Sequence, residues 1–211
     1  MIEINDFLSE RLNRHYGNIV LHGDFPWYYA PDITNSPTNF NSYPMDYRQY
    51  GFHHTCFMGY ETKSNTYPYF SHMVEAVKDV LPEHPDGWEW ELYRVRCGFN
   101  MPLSPVNKKY AALEHNQPHV DHDNSVVTGK TLTCLYYVNE TDGDTFIFEQ
   151  KLKPAPAPWP ARFTVQDRVK PTRNKLLIFD GDHFHASSSP VDYEKRVVLT
   201  LNFHDRRYLL S

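Results

Sequence analysis

From Trp88 onward the chain is written in short runs of β-branched and aromatic residues broken by turn formers: WEWELYRVRC, TLTCLYYV, DTFIFEQ, RFTVQDRV, NKLLIF and RVVLTLNFH. Runs of this length between turn signals predict strands. Strands so closely spaced must bury their apolar faces against one another, which predicts a mainly β chain closed as a barrel or sandwich. The segment KPAPAPWPA, residues 153–161, holds four prolines. Each removes a ladder donor, so a stiff connection is expected there rather than a central strand. Upstream the texture differs. Asn5 or Asp6 as an N-cap, Phe7, Leu8 and Leu12 on one side, and Gly17 as a stop predict a short helix over 5–15. Met73, Val74, Val77, Val80 and Leu81, closed by Pro82, predict a second over 68–81. The aromatic, Pro- and Asn-rich stretch 25–50 reads as mostly loop. A length of 211 residues suits one sizeable core, so a single domain is expected, with 1–87 as helical and loop-rich support and 88–211 as the β core.

The net charge of −5, with Lys and Arg scattered along the chain, gives no electrostatic footprint for a nucleic-acid backbone. Cys56, Cys97 and Cys134 are odd in number, far apart and without a CxxC pair, which suits packing thiols in a reducing compartment. MIEINDFLSERLNRHYGN lacks an apolar leader core, and no later stretch approaches 18 consecutive apolar residues, so no membrane span and a cytoplasmic location are expected.

Chemistry concentrates in NQPHVDHDN, residues 116–124. His-x-Asp spacing alone is weak, because a chain with 12 histidines supplies roughly one copy by chance. His84-Pro85-Asp86 runs into a Gly turn and reads as a surface turn. His119-Val120-Asp121 precedes a strand, and side chains two apart on extended backbone point the same way. A third ligand is available in NKLLIFDGDHFHASSSP, where His183 and His185 follow an apolar strand and, two apart, can share a face. Arg196 then opens the apolar run RVVLTLNF, and a guanidinium there needs an anion. His-x-Asp, a distal His and a following Arg is the order that two-histidine-one-carboxylate iron oxygenases require: three protein ligands leave positions for a 2-oxo acid and dioxygen, and a planar fork grips the far carboxylate.

Over roughly residues 88–204 the sequence resembles the Fe(II)/2-oxoglutarate-dependent dioxygenases, in their prolyl 4-hydroxylase-like branch, through YRVRCG, PHVDHD, TCLYYVNETDGDTFIF, NKLLIFDGDHFHASSSPV and RVVLTLNF. The resemblance implies a double-stranded β-helix, a jelly-roll of cupin type, with flanking N-terminal helices. It implies Fe(II) on His119, Asp121 and His185, with 2-oxoglutarate as co-substrate, its distal carboxylate on Arg196, dioxygen as oxidant and ascorbate as accessory reductant. Relatives commonly carry Gly-Gly-Glu-Thr where this chain has Asp142-Gly143-Asp144-Thr145, and many carry a serine where it has Val198. The second hydroxyl contact to the co-substrate is then expected from Tyr93, Tyr136, Tyr137 or Thr200. MPLSPVNKKYAALEHNQP is longer than the usual link, which leaves the substrate open between a prolyl or other peptidyl residue and a small molecule.

Blander readings stand beside these. Arg196 can be a surface partner of Glu194 or Asp192. Arg94 and Arg96, fallback anchors, are expected to face solvent or line the entrance, opposite Tyr93, Val95 and Cys97. His122 and Asp123 are expected to point away from the metal. Trp27, Tyr28, Tyr29, Tyr43, Tyr47 and Tyr50 can form a lid or simply pack on the barrel. Two rival functions remain: a dinuclear zinc hydrolase with a degenerate His-x-His-x-Asp-His motif, Gln117 standing at its first ligand, and a cupin-like binding module without catalysis.

Overall fold

The computed structural model describes residues 1–33, 49–102, 114–122, 129–152 and 160–205. The expected proline-rich connection, the lid residues Tyr43 and Tyr47, Asp123 and most of the long insertion lie outside the described residues.

Eleven strands, two α-helices and one short 3-10 helix (Tyr67–Phe70) are described. In chain order the strands and α-helices are β1 (Ile2–Ile4), α1 (Glu10–Val20), β2 (Tyr28–Ala30), β3 (Gly51–Met58), β4 (Glu61–Thr62), α2 (Ser71–Lys78), β5 (Trp90–Asn100), β6 (Thr131–Tyr137), β7 (Thr145–Lys151), β8 (Val165–Val169), β9 (Leu176–Asp180), β10 (His183–Ser187) and β11 (Arg196–Asp205). An antiparallel sheet runs β1-β9-β6-β11-β5-β3-β2, with β4 on β3, and a smaller one runs β10-β7-β8. Two facing antiparallel sheets of this kind make the expected double-stranded β-helix, or jelly-roll.

Period-two alternation explains the layers. On β6, Leu132, Cys134 and Tyr136 face the helices, where they join Tyr16, Val20, Phe70, Met73 and Val77. Leu135 and Tyr137 point the other way, into a core between the sheets with Ile147, Val169, Leu177, Phe179 and Val198. The central strand β11 divides likewise: Val197, Leu199, Leu201 and Phe203 join the helix-side core, while Arg196, Val198 and Thr200 line a cavity between the sheets. The site therefore sits on the polar alternate of a fully buried strand.

The N-terminal region departs from expectation. Asp6 takes a positive φ of 49°, and the helix begins only at Glu10, with Ser9 as N-cap accepting from the Leu12 amide. It runs through Gly17 to Val20 because its buried stripe is Asn13, Tyr16 and Val20; Leu12 is exposed. The second helix ends at Lys78, two loose turns short of Pro82, since proline disfavours helical backbone in the residue before it. Strands β1 to β3 join the large sheet, so residues 1–87 supply sheet as well as support. Trp27 packs on Phe25 and Phe99 rather than over the cavity, and no described helix is long and apolar enough to cross a membrane.

Candidate metal centre and co-substrate cavity

His119 and His185 are joined by their backbones before their side chains meet. The His119 amide donates to the His185 carbonyl at 2.9 Å, and the His185 amide returns a bond of 2.8 Å. This bridge, with the Asn116 amide on the Ser187 carbonyl, lays residues 116–119 along β10 as an edge of the small sheet. Directly opposed residues project side by side, and the rings lie 4.5 Å apart. Asp121, two residues on, presents Oδ1 3.9 Å from His119 Nε2 and Oδ2 3.8 Å from His185 Nε2. The ligand atoms of all three fall within 4.8 Å of one another, the one such group among the described residues able to hold a metal.

The protonation chemistry fits. Nδ1 of each ring faces a backbone carbonyl, Gln117 for His119 and His183 for His185, so Nδ1 carries the hydrogen and Nε2 offers its lone pair inward. Burial pushes His119 down to about 3, with the neighbouring His185 adding to it, and burial lowers His185 too. Asp121 goes far below the carboxylate range: burial opposes its charge, but Arg94, both imidazoles and Asn202 outweigh that. Two neutral imidazoles and one carboxylate are a donor set for a divalent first-row metal such as Fe(II).

Arg94 is the largest correction to expectation. It faces inward, its Nη2 2.8 Å from Asp121 Oδ1, while its Nε donates to Asn202 Oδ1 at 2.9 Å. Asn202 in turn donates to Asp121 Oδ2 at 3.1 Å. The carboxylate is thus clamped on both oxygens. Arg96 lines the cavity. Both arginines do oppose Val95 and Cys97, but the face they share is the inter-sheet face, not solvent.

Arg196 is 4% exposed, which rules out the surface ion pair with Glu194 or Asp192. Its Nε donates to the Gly143 carbonyl at 2.8 Å and Nη2 to Thr145 Oγ1 at 2.8 Å, and its Cζ lies 5.8 Å from the Tyr137 ring centre. Burial lowers its pKa while Tyr137 and Asp144 oppose the drop, and Asp144 is itself paired to Arg168 at 2.6 Å. Glycine at 143 is needed for this approach: a Cβ there would stand 2.9 Å from Arg196 Cδ and 2.8 Å from the Ser188 carbonyl. Asp142, replacing the usual first glycine, accepts from the Val191 and Asp192 amides and so ties down the loop leading to Arg196.

Of the expected hydroxyl contacts, Thr200 lines the cavity, and Tyr137 donates to Thr145 Oγ1 at 2.8 Å, beside Arg196. Tyr136 is turned to the helix side, where its hydroxyl donates to Asn174 Oδ1 and accepts from the Asn13 amide. Tyr93 does not reach the cavity: β5 and β11 shift register beside it, and it stacks on His204 with ring centres 4.1 Å apart. His183 turns away to the Phe148 carbonyl, Nδ1 to O 2.6 Å, because a register shift separates it from His185; the two do not share a face. His122 points to Asp182 at 3.2 Å, away from the triad as expected. The turn at His84 exists, but its ring is buried against Asp205 at 3.6 Å, not on the surface. A further His-x-Asp, His22-Gly23-Asp24, is exposed. Asn202 was missed by the sequence reading, though its even spacing from Arg196, Val198 and Thr200 marks it as facing the site.

Residues 108–204 match the family described as the 2OG-Fe(II) oxygenase superfamily. No curated protein sequence matches the chain. Among solved structures it is similar to a prolyl hydroxylase from Trichoplax adhaerens, solved in complex with a hypoxia inducible factor oxygen degradation domain peptide fragment, with 16% identity, TM-score 0.59, and coverage of 100% of this chain and 86% of that one. A Pseudomonas putida prolyl-4-hydroxylase gives 14% identity and TM-score 0.53 over 97% and 92%. The non-heme alpha ketoglutarate dependent epimerase SnoN from nogalamycin biosynthesis gives 11% and 0.56 over 97% and 78%. At these identities the structural likeness speaks for the fold, and the family match spans the segment from before His119 to the end of β11. On that match residues 108–204, which carry His119, Asp121, His185 and Arg196, are similar to the 2OG-Fe(II) oxygenase superfamily.

Proposed function

We propose that the protein is an Fe(II)- and 2-oxoglutarate-dependent dioxygenase that hydroxylates an unactivated C–H bond, on a prolyl or other peptidyl residue or on a small molecule. His119, Asp121 and His185 would hold the iron, and Arg196 the distal carboxylate of 2-oxoglutarate. One observation carries the reading: a buried guanidinium without an acidic partner among the described residues faces the same cavity as a His-Asp-His triad.

When bound, iron with 2-oxoglutarate supplies the oxidising power of dioxygen, one oxygen atom entering the substrate and the other the succinate formed with carbon dioxide. The chain's own groups do the placing. His119 and His185 enter as neutral imidazoles, so no proton need leave them. Asp121 is presented as an anion already oriented by Arg94 and Asn202, which is how outer groups fix a metal ligand. Arg196 is preorganised by Gly143 and Thr145 with N–H groups remaining for a carboxylate. Leu135 and Val198 line the cavity between these ends with apolar surface, which favours a dry site.

Among the described residues the zinc hydrolase reading finds no second metal set, since His122 is turned to Asp182, and the layers are sheet on sheet. Arg196, held in place by Gly143 and Thr145, argues for activity over a silent binding module. The direct test is succinate release from 2-oxoglutarate, Fe(II) and ascorbate, with and without candidate substrates, in the parent protein and in H119A and R196Q. Both variants should lose turnover; unchanged turnover in either defeats the assignment.

A further inference from the structure

The cavity contains more positive charge than the proposed co-substrate can neutralise. Arg94, Arg96 and Arg196 all line it, and Asp121 is the single carboxylate among the described lining residues. Arg94 is matched by Asp121. Arg196 would be matched by the distal carboxylate of 2-oxoglutarate, whose other carboxylate goes to the metal. No described carboxylate pairs directly with Arg96: Asp121 acts on it only across space, its own contact being with Arg94.

The position of Arg96 sets it beside the candidate metal centre. Arg96 lies in register with Thr200 of β11 on one side and Thr55 of β3 on the other. That is one same-face step, about 7 Å, from Arg94, which holds the metal's carboxylate ligand. Two such steps separate it from Asn100, the residue opposite Arg196. It therefore stands at the metal end of the cavity, on the side towards β3. Beside it His53, opposite Gly98 on the same face, keeps Nδ1 buried without a hydrogen-bond partner. The surroundings also disfavour a further cation: burial, and then Arg94, push the Arg96 guanidinium down to about 10. Arg96 is half-buried, and a guanidinium withdrawn from water in this way is ordinarily paired.

We infer that Arg96 is a substrate anchor, and that the molecule oxidised here presents a carboxylate which Arg96 grips beside the metal. A planar fork with parallel donors fits a carboxylate bidentately. The inference rests on the reading of the cavity as an iron and 2-oxoglutarate site. It narrows the substrate to an acid, free or peptidyl, and disfavours a neutral prolyl side chain as the group recognised.

The test uses full-length protein loaded with Mn(II) and 2-oxoglutarate, which permits binding without turnover. The twenty L-amino acids and a series of short monocarboxylic acids are titrated calorimetrically, each against its carboxamide. At least one acid should bind, and its amide should bind tenfold or more weakly. In R96Q that preference should fall to near one, with R96K recovering part of it, and the 2-oxoglutarate titration should move far less than it does in R196Q. Equal binding of acid and amide, no binding by any acid, or a 2-oxoglutarate shift in R96Q as large as in R196Q each overturns the inference. If wild-type protein fails to bind 2-oxoglutarate at all, it is the underlying functional reading that fails.

Discussion

Replacing Arg196 by glutamine removes a charge from a position that is 4% exposed, and the structure sets the size of the effect. Of five N–H donors on a guanidinium, one is given to the Gly143 carbonyl and one to Thr145 Oγ1, which leaves enough for both oxygens of a carboxylate. Two charge-assisted bonds at about 1.5–3 kcal/mol each set the upper limit, and truncating one partner of a buried charge pair costs about 2–5 kcal/mol. A loss of about 3–5 kcal/mol corresponds to a rise in Kd of between about a hundredfold and a few thousandfold. The assay is anaerobic titration of 2-oxoglutarate into Fe(II)-loaded protein, read from the visible absorption of the chelate. R196K should recover only part of the affinity, since an ammonium cannot reproduce the fork. A Kd in R196Q within threefold of the parent value would refute the reasoning.

Further outcomes follow from the same contacts. G143A places a Cβ 2.9 Å from Arg196 Cδ, and overpacking of this kind costs about 1–3 kcal/mol. Its melting temperature should fall by several degrees and its 2-oxoglutarate Kd should rise at least tenfold, whereas an unchanged Kd would mean that Arg196 does not need this approach. D121A leaves Arg94 as a buried charge without its carboxylate, so beyond losing bound iron it should be destabilised by about 3–5 kcal/mol in urea unfolding; D121N should lose iron with less damage. Metal-free protein should lose stability as pH falls. Burial holds His119 and His204 at about 3 in the fold, so below about 6.5 the unfolded chain takes up protons first, costing about 2 kcal/mol per histidine by pH 5. Thermal melts between pH 7 and 5 should show that decline, and a flat profile would contradict it.

What the sequence made legible follows its strong periodicities. β6, β9 and β11 alternate so regularly that the two faces of the large sheet can be read from TLTCLYYV, NKLLIF and RVVLTLNF. The triad and Arg196 are brought to one cavity because His119 precedes one such strand, His185 follows another and Arg196 opens a third. Arg94 was misread for a physical reason: alternation separates two faces but does not say which is wet, and here helices cover one face and the small sheet the other. His183 and His185 looked equivalent because a register shift leaves no mark in composition. The first helix was displaced because its buried stripe includes Asn13, a polar residue held by tertiary contacts, and because the backbone turn at Asp6 is not an N-cap. Three-residue strands such as β1 are too short for a pattern. Which cations share the cavity, by contrast, is visible only once the strands are in register.

The most direct measurement is a crystal structure of the protein with Mn(II) and N-oxalylglycine, a 2-oxoglutarate mimic. The account expects the metal on His119 Nε2, the Asp121 carboxylate and His185 Nε2, with the far carboxylate of the mimic on Arg196. Metal bound elsewhere, or a mimic whose carboxylate ignores Arg196, would contradict it.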